Sequence, residues 1–161
     1  MTFFTSDLLI KLIMSVFAAL SFSILFKISL RHLVYVAICS PITYLIYYTV
    51  LYIGGSDFSA AFFSTVVAAM LSEILARLRK APALIFLFPS VIVTVPGGNL
   101  YNAMKGMLTE DYVFAFEQLL VAIRVGIGIA GGIVTVSILS SLIFDFIRKR
   151  RTKRAKRDLE N

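Results

Sequence analysis

The sequence predicts an all-α integral membrane protein of five transmembrane helices, the fourth of them broken at Pro96–Gly98. Three observations lead there. The 161 residues are 59% hydrophobic and only 16% charged, with a mean hydropathy of +0.90, whereas soluble domains carry roughly 45–50% apolar and about 25% charged residues. The apolar runs are continuous rather than alternating, which fits helices and not the strands of a barrel. The basic residues gather in every second connection, which an odd number of crossings requires if all of them lie on one side.

A helix needs about 20 apolar residues to cross a bilayer, and five segments qualify. The first is Leu8 to Phe26. The second, Leu33 to Ile53, contains Pro41 and is expected to kink there. The third runs from Phe58 to about Arg77. The fourth, Ala83 to Leu108, carries the Pro-Gly-Gly triplet. The fifth, from about Glu117 to Ile147, is longer than a perpendicular crossing needs, so it tilts or begins with an interfacial turn. No basic n-region precedes the first segment, and Lys27 and Arg31 stand where a small-residue cleavage site would be; it is expected to stay as a helix rather than serve as a signal peptide. Residues 1–147 then form one transmembrane bundle and 148–161 a basic tail.

Loop charges orient the chain. Lys27, Arg31 and His32 fall between spans one and two, and Arg77, Arg79 and Lys80 between three and four. Half of the sixteen Lys and Arg lie in the tail, from Arg148 to Arg157. Asp7, Asp57, Glu110 and Asp111 fall on the other side. The N-terminus is therefore expected outside and the C-terminus in the cytoplasm. A basic run of this kind suits nucleic acid, but here it follows directly on a span. It is read as an anchor to anionic lipid, and no nucleic-acid partner is expected.

Few ionisable groups lie deep. Lys11 is one turn inside the outer end of span one and can snorkel. Arg124 lies about two turns into the long fifth span. Glu73 stands four residues before Arg77, the spacing of a local ion pair; a coupling role for Glu73 or Arg124 is the alternative. No mid-depth proton relay is visible, so either the path is passive or a partner supplies the coupling groups. Motifs of hydrolases, zinc proteases and P-loop enzymes are missing, and one His and one Cys cannot build a metal cage. No enzyme activity, metal or cofactor is expected.

Two small-residue stripes are expected to pack helices, in the bundle or in a homo-oligomer: Ala60, Ser64, Ala68 and Ser72 on span three, and the GxxxG pair Gly128 and Gly132 on span five.

The fourth segment carries the functional expectation. Pro89 and Pro96 lie two turns apart, and two glycines follow the second proline. Proline removes a backbone donor and clashes with the preceding turn, and freed backbone groups within a bilayer are tolerated only where protein or a water-filled path satisfies them. After Gly98 a helix can restart with Asn99 near its N-terminus, presenting free N–H groups and a partial positive charge that suit a carboxylate. Asn102 and Lys105 follow at intervals of three and could line the same path, while Tyr101 points elsewhere. The alternative is a re-entrant hairpin that carries no solute.

The run FPSVIVTVPGGNLYNAM, with an acidic turn and a glycine-rich last span after it, resembles the small membrane subunit of the threonine/serine exporter family. That family's pattern is similar to P-G-x-x-P-x-x-P-G-G-G-x-Y. Pro89, Pro96, Gly97, Gly98 and Tyr101 match it; Ser90, Val93 and Asn99 depart from it. The FKISLRHL and ARLRKAP segments also look like the family. The resemblance implies a bacterial inner-membrane protein that forms one half of a secondary-active exporter. A larger polytopic subunit would be its partner, and threonine, serine or a small dicarboxylate such as succinate its substrate. Two other readings stay open at this stage: a membrane scaffold that transports nothing, and an uncoupled homo-oligomeric channel.

Overall fold

The computed structural model describes the backbone of residues 2–160 and the side chains of residues 8–142. The fold is all-helical: α1 (Thr2–Leu25), α2 (Leu30–Tyr52), α3 (Asp57–Arg79), α4 (Leu84–Ile92), α5 (Gly97–Leu108) and α6 (Tyr112–Glu160). Four of these are long and apolar enough to cross a membrane. The bent pair α4–α5 makes five if it counts as one span.

The connections are short because each helix stops sharply. Lys27, Gly54, Lys80 and Glu110 all adopt positive φ, the left-handed conformation that reverses a helix end and re-pairs its last carbonyls. Ala81 N–H bonds back to Ala76 O, and Asp111 N–H to Gly106 O. Two starts are capped by side chains: Ser56 accepts from Ser59 N–H on α3, and Asp111 from Phe114 N–H on α6. The second cap corrects the expected start of the last span. The acidic turn is not a loop ahead of Glu117 but the cap of a helix that begins at Tyr112. At its far end α6 continues unbroken past Ile147. The side chains of the basic tail from Arg148, and of Asp7, lie outside the described residues.

Helix α3 is central, packed by α2, α4 and α6. Against α6 the register is constant. Gly128 lies on Ala61, Gly132 on Thr65, and Ser140 on Glu73 across 67 residues. The two helices therefore run parallel, and the chain between them must return to the level where α3 began. Nine residues of α4 rise about 13 Å and twelve of α5 about 18 Å. Neither alone matches a hydrocarbon core of about 30 Å, but the two together do.

The glycine pair allows a close approach between α3 and α6. A Cβ on Gly128 would stand 2.6 Å from Phe58 O, and one on Gly132 would stand 2.9 Å from Thr65 Cβ and 3.0 Å from Phe62 O. The stripe of α3 that meets them carries Ala61 and Thr65, one position over from the ladder read in the sequence. That ladder, Ala60, Ser64, Ala68 and Ser72, is also fully buried, and Ala68 packs with Leu87 and Val91 of α4 and Val136 of α6. Small residues on adjacent stripes thus let α3 take several neighbours at once.

The interior holds many hydroxyls. Ser23, Thr43, Ser64, Ser72, Ser90 and Thr94 are all buried. Each donates to a carbonyl three or four residues back on its own helix or turn, the local solution available where water is excluded. Pro41 lies within α2, which remains one helix from Leu30 to Tyr52.

Candidate functional site: the break between α4 and α5

The chain breaks over residues 93–96, between α4 and α5, and the two helices meet at 49°. This corrects the sequence reading in two ways. Pro89 does not interrupt the chain; it stands inside α4. Gly97 and Gly98 do not form the break either; they are the first two residues of α5, and Pro96 is its N-cap. The reason is physical. The first turn of a helix has no intrahelical use for its N–H groups, so a proline there sacrifices nothing. Glycine costs a helix about 1 kcal/mol in its interior but also serves at an end.

Within the break the backbone is partly re-paired. Thr94 N–H bonds to Val91 O at 2.9 Å, Val95 N–H to Ile92 O at 3.2 Å, and Gly97 N–H to Val95 O at 2.8 Å. Thr94 Oγ1 also donates to Val91 O at 2.8 Å. No side chain caps α5. Among the described residues, the N–H groups of Gly98 and Asn99 have no acceptor. Both glycines are exposed, and a Cβ built on either meets nothing within 4 Å. The restart of α5 is thus an open, bare stretch of backbone donors carrying the positive end of a helix dipole.

The packing partners change at this point. α4 packs among α1, α2 and α3, whereas α5 packs against α6. The side-chain tie across that second contact is Asn99 Nδ2 donating to Gln118 Oε1 at 3.0 Å. Sequence reasoning missed Gln118, although an amide just inside the apolar run after Glu117 was a visible signal. Asn102 is half-buried. Lys105 is exposed in the last turn of α5, about 9 Å along the helix from Asn99. It is not part of the restart; a cation there complements the C-terminal dipole. Tyr101 is 68% exposed and points away, as its place on the helix predicts.

The other two ionisable candidates lie apart. Glu73 pairs with Arg77 at 3.8 Å. Ser140 of α6 closes a triangle with them, donating to Glu73 Oε2 and accepting from Arg77 Nη2, each at 3.1 Å. Arg124 is exposed and, in the α3–α6 register, level with Asp57, about 24 Å along the bundle from Glu73. The two therefore do not form a pair with each other. Among the described residues no three His, Cys, Asp or Glu side chains come together as a metal site would require.

No curated protein and no solved structure matches the chain. A family model described as "Threonine/Serine exporter, ThrE" matches residues 11–139, a stretch that takes in the break, the α3–α6 contact and all but the first and last parts of the helical bundle. Exporters of this kind are multi-pass membrane transporters rather than enzymes. With four to five candidate spans and a broken helix inside the matched region, the chain belongs to the threonine/serine exporter family.

Proposed function

We propose that this chain is one subunit of a secondary-active exporter for a small carboxylate metabolite, threonine or serine in the first instance and a dicarboxylate such as succinate in the second. The observation that carries the reading is the restart of α5. Among the described residues the Gly98 and Asn99 backbone donors stand unpaired, at a helix start with two bare glycines and at a bend inside a helix pair. In transporters, half-helix N-termini at such breaks face the carboxylates of their substrates. Asn99 and Asn102 flank the donors; Lys105 would serve at the exit rather than at the restart.

In this reading the chain crosses a bacterial inner membrane five times, N-terminus outside and C-terminus in the cytoplasm. Its basic tail rests on anionic lipid. Alternating access proceeds by movement at the break, where α4 and α5 are held by different neighbours. A larger polytopic subunit of the same family supplies the groups that couple transport to an ion gradient, since Glu73 is already occupied by Arg77 and Ser140.

The test is counterflow of labelled serine, threonine and succinate into liposomes, with and without that second subunit. Exchange that needs both subunits and responds to an imposed ion gradient is expected. Passive flux from this chain alone, insensitive to the gradient, would make it a channel. No flux in either preparation, with the two subunits still bound to each other, would make it a scaffold.

A further inference from the structure

A groove of about 250 Å³ opens between α1 and α2 and reaches the break. It is lined by Lys11, Met14, Ser15 and Ala18 of α1, by Tyr44 of α2, and by Val93, the C-cap that follows α4. We infer that this groove receives the transported metabolite ahead of the restart of α5, with the Lys11 ammonium as the first counter-charge for the carboxylate that the Gly98 and Asn99 N–H groups then take. The inference rests on the exporter reading and deepens it by naming a cation that this chain supplies itself.

Charge is the first argument. Lys11 lies one turn inside the apolar stretch Leu8–Leu25 with its side chain exposed, and an ammonium at that depth favours an anion beside it. No carboxylate pairs with it among the described residues. The contact it makes is with the Tyr48 ring, whose centroid is 5.5 Å from Nζ. That contact holds the ammonium on the side of α1 that faces α2.

Size and lining are the second. The volume lies below the range of roughly 300–1,000 Å³ that suits drug-sized ligands, and so fits a metabolite of a few heavy atoms. Met14, Ala18 and Val93 would meet its short aliphatic part. Ser15 Oγ, already donating to Leu12 O at 2.7 Å, keeps lone pairs free to accept from an ammonium or hydroxyl of the ligand. Tyr44 of α2 closes the opposite wall.

Continuity is the third. Val93 caps α4 three residues before Pro96, so the groove wall and the restart of α5 belong to one short stretch of chain. A movement at the break would change the groove's floor and couple occupancy to access.

The experiment uses the two-subunit exporter in proteoliposomes. Lys11→Gln should raise KM for the transported carboxylate about 10- to 100-fold, the loss expected for one charged hydrogen bond, and Lys11→Arg should restore most of it. In a Cys39→Ser background, Met14→Cys should react with a water-soluble maleimide, more slowly when the transported carboxylate is present. An unchanged KM in Lys11→Gln, or labelling of Met14→Cys that the carboxylate does not slow, overturns the groove while wild-type counterflow leaves the exporter reading standing. Absence of wild-type counterflow for serine, threonine and succinate overturns the exporter reading and this inference with it.

Discussion

Alanine at both Gly97 and Gly98 is expected to abolish export while leaving insertion and folding intact. The fold itself makes no demand for glycine here. Neither residue adopts a positive φ, and a Cβ at either position meets nothing within 4 Å. Alanine is the better helix former by about 1 kcal/mol per residue in a helix interior, so the double variant should be at least as stable as the natural chain. Any loss must then come from what approaches the bare backbone during transport. A substrate carboxylate bound to the Gly98 and Asn99 N–H groups comes within about 3 Å of the chain, and two methyl groups would crowd that approach. Purified variant and natural protein should show equal thermal stability in detergent, and only the natural one should support counterflow. Equal counterflow would remove the restart of α5 from the substrate path.

The opposite pattern is expected at the α3–α6 contact. Gly128→Ala places a methyl 2.6 Å from Phe58 O and 2.9 Å from Ala61 Cβ; Gly132→Ala places one 2.9 Å from Thr65 Cβ and 3.0 Å from Phe62 O. Backbone oxygens cannot move aside as a flexible side chain can, so the helices must separate along their contact. Overpacking of this kind costs about 1–3 kcal/mol. Each substitution should therefore lower the unfolding midpoint, and both together should do so more strongly. Gly126→Ala is the control on the same helix, since its Cβ would meet nothing within 4 Å. Comparable destabilisation by all three would show that helix propensity or lipid contact, not the α3 approach, governs these positions.

The two glycine pairs illustrate what the sequence discloses. Segment order, the helical class and the location of the break follow from hydropathy and from Pro96, because both report local physics. The exact extent of the break does not. Pro-Gly-Gly reads as an interruption, yet proline and glycine at a helix start are as favourable as they are costly in its middle, and only the pairing of Val95 and Gly97 decides between these. The start of α6 was legible in principle, since Asp111 three residues before Phe114 has the spacing of an N-cap. Partnership between helices was not. Gly128 and Gly132 announce a close contact, but whether they meet Ala61 and Thr65 or the neighbouring Ala60–Ser64 stripe is settled by a rotation of α3 that no local pattern encodes. The same holds for Asn99 with Gln118 and for Lys11 with the groove at Val93: each joins residues whose meeting depends on how the bundle closes.

Alternating access requires the break to open to both sides of the membrane in turn. Val95 is 45% exposed and stands in the break one residue before Pro96, so a single thiol there reports access directly. Val95→Cys in the Cys39→Ser background, within the two-subunit exporter in sealed vesicles, can be treated with a membrane-impermeant maleimide from either face. Labelling from both faces, slowed on each by the transported carboxylate, is the predicted result. Labelling from one face alone, unaffected by serine, threonine or succinate, would contradict it.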